Sequence, residues 1–394
     1  MRAERFFRRL PARLYLLLLA VVVFSFFSND FGLVDIQKTA IILSAGIDRS
    51  EDGFYLTAQI AVPKGGTDGG GTNAVNVCAA GDTLPECVEG IYAQTGWVPK
   101  FIFCDLLLLG EAAAEKDAVA CLDFFLRSEY MPDSSLVAVC EGTAHAVLST
   151  QSAVDEAASL AVEKLFTDAA EKSGRVCKMT LREFAAGCYG VTESGYMPYL
   201  SALDAEQTGS AGGESGQGGQ DGQSAEKEPP KVYTAARTAL FFRGRMQGVL
   251  TPQQTLAFQL LRGKVYAGTV TAEAEGSRIS LGILQNDGGI RLDVRPLRAE
   301  FSVTLHVHTT GKSAPDALPE ISRSAPSRAQ CAAAENAIAA DLTSLFKTCE
   351  ETGCDMFGLG RTLHRLHPDE FSALHGPLLG ELSLSVRVRV FGAG

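Results

Sequence analysis

The pattern of apolar and polar positions sets the first thirty residues apart from the rest of the chain. An apolar run at residues 14–27 follows a start that contains five arginines. A basic start before an apolar run is typical of a secretory signal or a membrane anchor. Such a segment keeps its arginines in the cytoplasm and delivers the following residues outside it.

Segment 1–30 is either a retained anchor or a cleaved signal. The apolar run has 14 residues, fewer than the roughly 17–25 of a spanning helix. Its exit, Phe24-Ser25-Phe26-Phe27-Ser28, lacks the small residues that a cleavage site prefers. We therefore favour a retained anchor and keep cleavage as the alternative. The side chains expected to contact membrane lipid are Leu14, Leu17, Leu18, Val21, Val22, Phe24 and Phe27.

After residue 30 the periodicities predict strands and helices in mixed order. Residues 38–48 and 54–62 predict a hairpin around Ser50-Glu51-Asp52-Gly53. Residues 101–109 are continuously apolar, which predicts a strand covered on both faces of its sheet. A helix is predicted at 84–95, because Thr83 can cap its start, Pro85 suits its first turn and Gly96 can end it. Apolar residues recur at helical spacing in two further segments, 117–127 and 152–171.

Residues 206–230 interrupt this pattern because they are rich in Gly, Ser, Gln and Glu, and they predict a linker or a disordered loop. Beyond them, Arg243-Gly244-Arg245 predicts a hairpin turn. Separate strands are predicted at 264–272, 278–284 and 291–294. Residues 299–309 and 382–391 alternate strictly between apolar and polar side chains, which also predicts strands. A long helix is predicted at about 329–352, with its end marked by Gly353.

The expected fold class is α+β: a multi-domain ectodomain of mixed helices and sheets, with two to three domains, behind a single N-terminal membrane segment. Residues 1–30 form the signal or anchor segment. Residues 31–205 form an N-terminal α/β domain with a helical extension, 206–230 the linker, and 231–394 a C-terminal α+β domain. A net charge of −11 argues against nucleic acid as a partner, because phosphates favour basic surfaces.

Neither a metal nor a cofactor is expected. The ten cysteines show no C-x-x-C spacing, which disfavours a zinc site. His306 and His308 share the polar face of a predicted strand, where solvated histidines are favoured over metal ligands. His364 and His367 could share a helix face, but Pro368 is expected to break that helix and no third ligand is evident. The residues also suggest no nucleophile beside its base, so we do not expect an enzyme.

Four motifs follow one another along the chain. The first is AII at 40–42 leading to Gly46-Ile47-Asp48 and YLTAQI at 55–60, and the second is LDFFLR at 122–127 before VAV at 137–139. The third is TALF at 238–241 with GVLT at 248–251. The fourth and most specific is CDMFGLG at 354–360 followed by HPDEF at 367–371.

In this order the motifs resemble those of the Ger(x)C family, the C subunits of bacterial spore germinant receptors. The positions singled out by the resemblance, for a structural or an interface role, are Gly46, Asp48, Phe125, Arg127, Asp355, Gly358, Gly360 and Pro368.

The resemblance implies a non-enzymatic subunit on the outer face of the spore inner membrane, beside an A subunit and a transporter-like B subunit. Family members usually begin at a lipidated cysteine followed by Trp-Asp, whereas this chain has Asp30, Phe31 and Gly32 there. It is therefore lipoprotein-like without the lipobox cysteine, and we expect anchoring by residues 14–27 or by its partners. The alternative is a membrane-anchored extracellular solute-binding protein or hydrolase, which needs a pocket with convergent polar groups.

Overall fold

The computed structural model of the protein describes residues 17–22, 39–51, 53–63, 72–128, 131–150, 158–204, 231–274, 276–312 and 325–393. The predicted linker and the anchor positions Leu14, Phe24 and Phe27 lie outside these ranges. Residues 17–22 are helical (α1) and expose the other anchor positions, Leu17, Leu18, Val21 and Val22. Within the described ranges no helix is both long and apolar enough to cross a membrane. The anchor therefore stays a prediction.

Among the described residues the larger sheet has nine strands, in the order β3-β2-β1-β5-β6-β7-β8-β9, with β4 paired to the start of β1. Strands β1, β5, β6 and β7 run parallel, and the outer strands are joined antiparallel. The strands are β1 (Thr39–Ser50), β2 (Gly53–Pro63), β3 (Thr72–Gly81), β4 (Val98–Lys100), β5 (Leu106–Gly110), β6 (Leu136–Cys140), β7 (Ser194–Asp204), β8 (Lys231–Phe242) and β9 (Arg245–Leu250).

Helices cover both faces of this sheet. Leu107 and Leu109 of β5 enter a core shared with α2, α3 and α7, whereas Leu106 and Leu108 enter one shared with α4 and α5. The unbroken apolar sequence of β5 follows from this two-sided burial. The helices of this half are α2 (Leu84–Thr95), α3 (Glu111–Leu126), α4 (Ala144–Ser149), α5 (Ala158–Leu165), α6 (Asp168–Lys172) and α7 (Leu181–Cys188).

The smaller sheet has the strand order β10-β11-β12-β13 in the described part of the chain. Its apolar face packs on helices α8 and α9. In β12 the predicted alternation is confirmed, since Phe301, Val303 and Leu305 are buried and the residues between them are half-exposed. The elements are α8 (Pro252–Leu261), β10 (Thr269–Ala274), β11 (Ser277–Val294), β12 (Leu297–Lys312), α9 (Arg328–Thr352), α10 (Leu359–Leu366), α11 (Pro368–Ser372), α12 (Leu378–Glu381) and β13 (Ser383–Gly392).

Several predicted helix ends are confirmed. Thr83 caps α2 through the N–H of Glu86, and α2 ends at Gly96 with a left-handed φ of 68°. Helix α9 ends at Gly353 with a φ of 70°. The helix predicted around His364 ends at Leu366, and Pro368 begins the next helix.

The bounds of four predicted strands were wrong. Residues 101–104 form a turn, and strand β5 begins only at Leu106. The strand predicted at 264–272 begins at Thr269, because the residues before it form a loop bonded to Lys172 O. The strands predicted at 278–284 and 291–294 are one strand, β11. The four residues Asn-Asp-Gly-Gly between them have a composition typical of a turn, but all four pair with β12.

The helix predicted at 152–171 is interrupted in its described part. Helix α5 ends at Leu165, and Phe166 N–H donates to Glu163 O just beyond it. Helix α6 begins at Asp168, directly after Thr167, whose hydroxyl accepts the N–H of Ala170. The larger sheet also contains strands from both sides of residues 206–230, because β7 pairs with β8 from Asp204 opposite Lys231 onward.

Candidate functional site

The fourth motif forms a bonded loop between α9 and α10. The carboxylate of Asp355 accepts the N–H groups of Leu359 at 3.1 Å and Gly360 at 2.7 Å. Gly358 precedes the helix with a φ of 71°, a conformation that favours glycine. Asp355 therefore satisfies backbone donors at the start of α10, which would otherwise lack partners.

The same loop joins the part of the described chain before residues 206–230 to the part after them, here called the first and the second half. Asp355 N–H donates to the Ser194 hydroxyl at 3.0 Å, and the Cys354 thiol donates to Gly195 O at 3.3 Å. A Cβ at Gly360 would overlap Cγ2 of Thr192. The motif thus docks α10 against the start of β7, about 160 residues earlier in the chain.

Burial dominates the electrostatics of this loop. It raises the pKa of Asp355, and the surrounding backbone N–H groups, which favour the carboxylate, only partly offset that effect. Burial also raises the pKa of the adjacent Cys354 thiol to about 12. A thiol with that pKa stays protonated near neutral pH, where it is a poor nucleophile.

A cleft of about 590 Å³ opens beside this junction. The first half contributes α7 and the start of β7, and the second half contributes the Asp355 loop and part of α8. Several polar side chains on its wall are already engaged: Lys264 pairs with Glu171 at 2.9 Å, and Glu183 accepts the Thr180 hydroxyl. The cleft is large enough for a small molecule, and its lining includes Arg262, whose Nη1 atom is buried without a hydrogen-bond partner among the described residues.

The first motif docks helix α4 onto β1. Asp48 accepts the N–H groups of Ala144 and His145, each at 2.8 Å. Gly46 leaves the space that α4 occupies, since a Cβ there would lie 3.0 Å from the Ala144 Cβ. Gly110 leaves space for Asp48, because a Cβ at that position would overlap the carboxylate. Burial raises the pKa of Asp48 against the lowering effect of its backbone donors.

The remaining motif positions have separate surroundings. Phe125 is 1% exposed and packs edge-on against Phe101. Arg127 is exposed and bonds Asp123 four residues earlier, at 2.7 Å. Pro368 occupies the first turn of α11, where its missing N–H has no cost. The structure does not bring the eight motif positions into one site, and their roles as interfaces stay predictions.

The histidines do not assemble a metal site in the described residues, which contain no group of three or more potential ligands. His306 stacks on Phe391 with ring centroids 5.4 Å apart, and His364 packs edge-on against Phe371. All ten cysteines are free thiols, and all except the half-buried Cys78 are buried.

One thiol lies beside an imidazole that is distant from it in sequence. Cys78 Sγ is 3.5 Å from His145 Nδ1, across a separation of 67 residues. The same nitrogen lies 3.1 Å from the Thr57 hydroxyl, which the thiol also contacts at 3.6 Å. The imidazole is therefore shared between a thiol and a hydroxyl.

Sequence reasoning missed the partners of the motif residues. Ser194, Thr192, Gly110 and the start of α4 have no distinctive local pattern, and they meet the motifs only in the folded chain. The final strand β13 is correctly predicted. It lies at the edge of the smaller sheet and pairs in parallel with β12.

The chain was compared with known proteins. Residues 33–202 match the family model described as "Spore germination protein N-terminal domain", and residues 236–390 match "Spore germination B3/ GerAC like, C-terminal". Among solved structures it is similar to one titled "Crystal Structure of the GerBC protein", with 14% sequence identity and a TM-score of 0.47 over 88% of this chain and 96% of that chain. None of the curated proteins matches.

Proposed function

Because the chain belongs to the Ger(x)C family of spore germination proteins, the C subunits of germinant receptors, we propose that it acts by protein contacts and not by catalysis. In this proposal it stands beside the A and B subunits on the outer face of the spore inner membrane. Its N-terminal segment lies in membrane lipid, and it uses no cofactor or metal. The observation that carries the proposal is the pair of family matches, which together extend over both sheets.

The surroundings of the motif carboxylates support this proposal. A general acid or base must reach the proton that it transfers. Asp48 and Asp355 are both buried, and each accepts two backbone N–H groups. Both carboxylates therefore act as structural bridges, and the motifs maintain a frame whose outer surface can meet other subunits.

Copurification from spore inner membranes tests the proposed contacts. The chain carries an affinity tag after Gly394, and an unrelated tagged membrane protein from the same spores serves as the control. We expect the A and B subunits to copurify with this chain and not with the control. Absence of both subunits, together with normal nutrient germination after deletion of the gene in a strain without paralogues, would contradict the proposal.

The Cys78–His145 pair favours the hydrolase alternative. An activated cysteine needs an adjacent base that is available to take its proton. Alkylation of Cys78 in the native chain, followed from pH 5 to 9, distinguishes the two functions. We expect slow alkylation of Cys78 that changes little in the His145→Gln variant. Fast alkylation near pH 6 that disappears in His145→Gln would favour the hydrolase.

A further inference from the structure

Two apolar elements are exposed close to the start of β1. Trp97, just before β4, is 41% exposed. Ile102 and Phe103, just after β4, are 50% and 55% exposed and occupy the centre of a turn closed by Cys104 N–H to Phe101 O at 2.9 Å. Glycine, proline, asparagine, aspartate and serine dominate such turns. Two large apolar residues at this place have no role in forming the turn itself.

The backbone around these residues is held firmly. Trp97 N–H donates to the Thr95 hydroxyl at 3.1 Å. The turn is fixed at its far end, where the Ser135 hydroxyl donates to Cys104 O at 2.7 Å. Phe101 is 5% exposed and anchors the turn in the core. Ile102 and Phe103 are therefore exposed on an ordered surface. Exposed apolar surfaces commonly contact a membrane or another protein.

The position of this surface in the chain keeps it near the predicted membrane anchor. Strand β4 pairs in parallel with residues 39–41, the first described residues after the predicted anchor. The sequence places 11 residues between Phe27 and Thr39, which span at most about 40 Å even when fully extended. Trp97 and Ile102 are separated by five steps along the chain, or at most about 17 Å. The whole surface therefore stays within reach of the membrane that holds the anchor.

We propose that Trp97, Ile102 and Phe103, here called the apolar rim, dock onto the lipid bilayer beside the N-terminal anchor. Trp is favoured at the boundary between headgroups and acyl chains, and the two turn residues add exposed aliphatic and aromatic surface. Docking turns the part of the larger sheet where β4 pairs with the start of β1 toward the membrane. This inference rests on the membrane location proposed above.

Fluorescence of the full chain tests the docking, because Trp97 is its only tryptophan. The chain is reconstituted into vesicles of phosphatidylglycerol and phosphatidylethanolamine, with and without lipids brominated near the headgroup end of their acyl chains. We expect Trp97 emission to shift to shorter wavelength in vesicles and to be quenched by the brominated lipids. Chain that floats with the vesicles but has unquenched Trp97 would overturn the docking and leave the membrane location intact. Chain that does not float would overturn both.

Variants separate the apolar rim from general contact with lipid. In Ile102→Ser/Phe103→Ser we expect quenching of Trp97 to be lost while flotation persists. The matched control Tyr266→Ser/Leu284→Ser changes two residues of the other half that are also about half exposed, and we expect it to keep the quenching.

A relocated probe and the partner subunits complete the test. In Trp97→Phe/Tyr266→Trp, we expect the new tryptophan to be unquenched, and equal quenching there would overturn the assigned orientation. Shielding of Trp97 only after the A and B subunits are added would assign the apolar rim to a protein contact and refute lipid docking.

Discussion

Substitution of Gly360 by alanine tests whether the Asp355 loop holds the two halves together. Gly360 lies in the first turn of α10 and faces Thr192, two residues before β7. Two opposing effects decide the result. Alanine inside a helix is more stable than glycine by roughly 0.5–1 kcal/mol. Against this, a methyl group forced into a packed site costs about 1–3 kcal/mol.

The surroundings of Gly360 indicate that the unfavourable effect prevails. The new Cβ would overlap Cγ2 of Thr192, whose β-branched side chain has little freedom to rotate away. It would also lie 3.2 Å from Asp355 Oδ2, which is fixed by its backbone donors. We therefore expect a net loss of about 1–2 kcal/mol in the free energy of unfolding.

Thermal unfolding of the full chain in mild detergent, followed by circular dichroism, measures this loss as a decrease in midpoint temperature. Gly380→Ala is the matched control, because a Cβ at this position in α12 would have its nearest neighbour outside the helix backbone, Glu350 Oε1, at 3.9 Å. Thr192→Ser removes the overlapping methyl group, so Gly360→Ala should cost little in that background. An equal cost in both backgrounds, or stabilisation by Gly360→Ala alone, would refute the docking argument.

Three further predictions concern other parts of the fold. Asp48→Ala leaves two buried N–H groups at the start of α4 unpaired and should lower the unfolding free energy by about 2–4 kcal/mol; an unchanged thermal midpoint would contradict the bridging role. Phe125→Ala should cost about 3–5 kcal/mol and Arg127→Ala far less, since only the phenylalanine is buried; similar midpoints would be inconsistent with this contrast. Burial, with a smaller contribution from Asp105, raises the pKa of Glu163 from 4.5 to about 7. The folded chain thus favours the protonated carboxyl. Its contribution to the free energy of unfolding is fully present below pH 4.5 and is lost as pH rises through 7. The midpoint of Glu163→Gln relative to that of the unchanged chain should therefore increase from pH 5 to pH 8, and a constant difference would argue against the raised pKa.

Local chemistry made several elements predictable. A capping threonine and a left-handed glycine at its two ends predicted α2, and strict alternation predicted β12 and β13. These signals depend only on residues that are close in sequence, so they can be recognised without the folded structure. The resemblance of the four motifs likewise identified the family before any tertiary contact was known.

Tertiary pairing accounts for what was missed. Ile102 and Phe103 extend the apolar run of β5, and hydrophobicity alone could not separate an exposed turn from a buried strand. The Asn-Asp-Gly-Gly stretch of β11 has the composition of a turn, but pairing with β12 overrides it. Ser194 and Thr192 became recognisable only through their contacts with Asp355 and Gly360, because nothing in their own sequence marks them.

The pairing of β7 with β8 has a consequence for how the chain can be divided. The two strands pair along their length, from Asp204 opposite Lys231 to Ser194 opposite Phe242. In β8, Ala239 lies in one hydrophobic core and Leu240 in another. The covalent link through residues 205–230 is thus flanked by an interface that can assemble without it. Two polypeptides divided within that link should complement each other as a split protein. A reporter inserted there would add little to the entropy of loop closure, so it should leave the pairing of β7 with β8 intact.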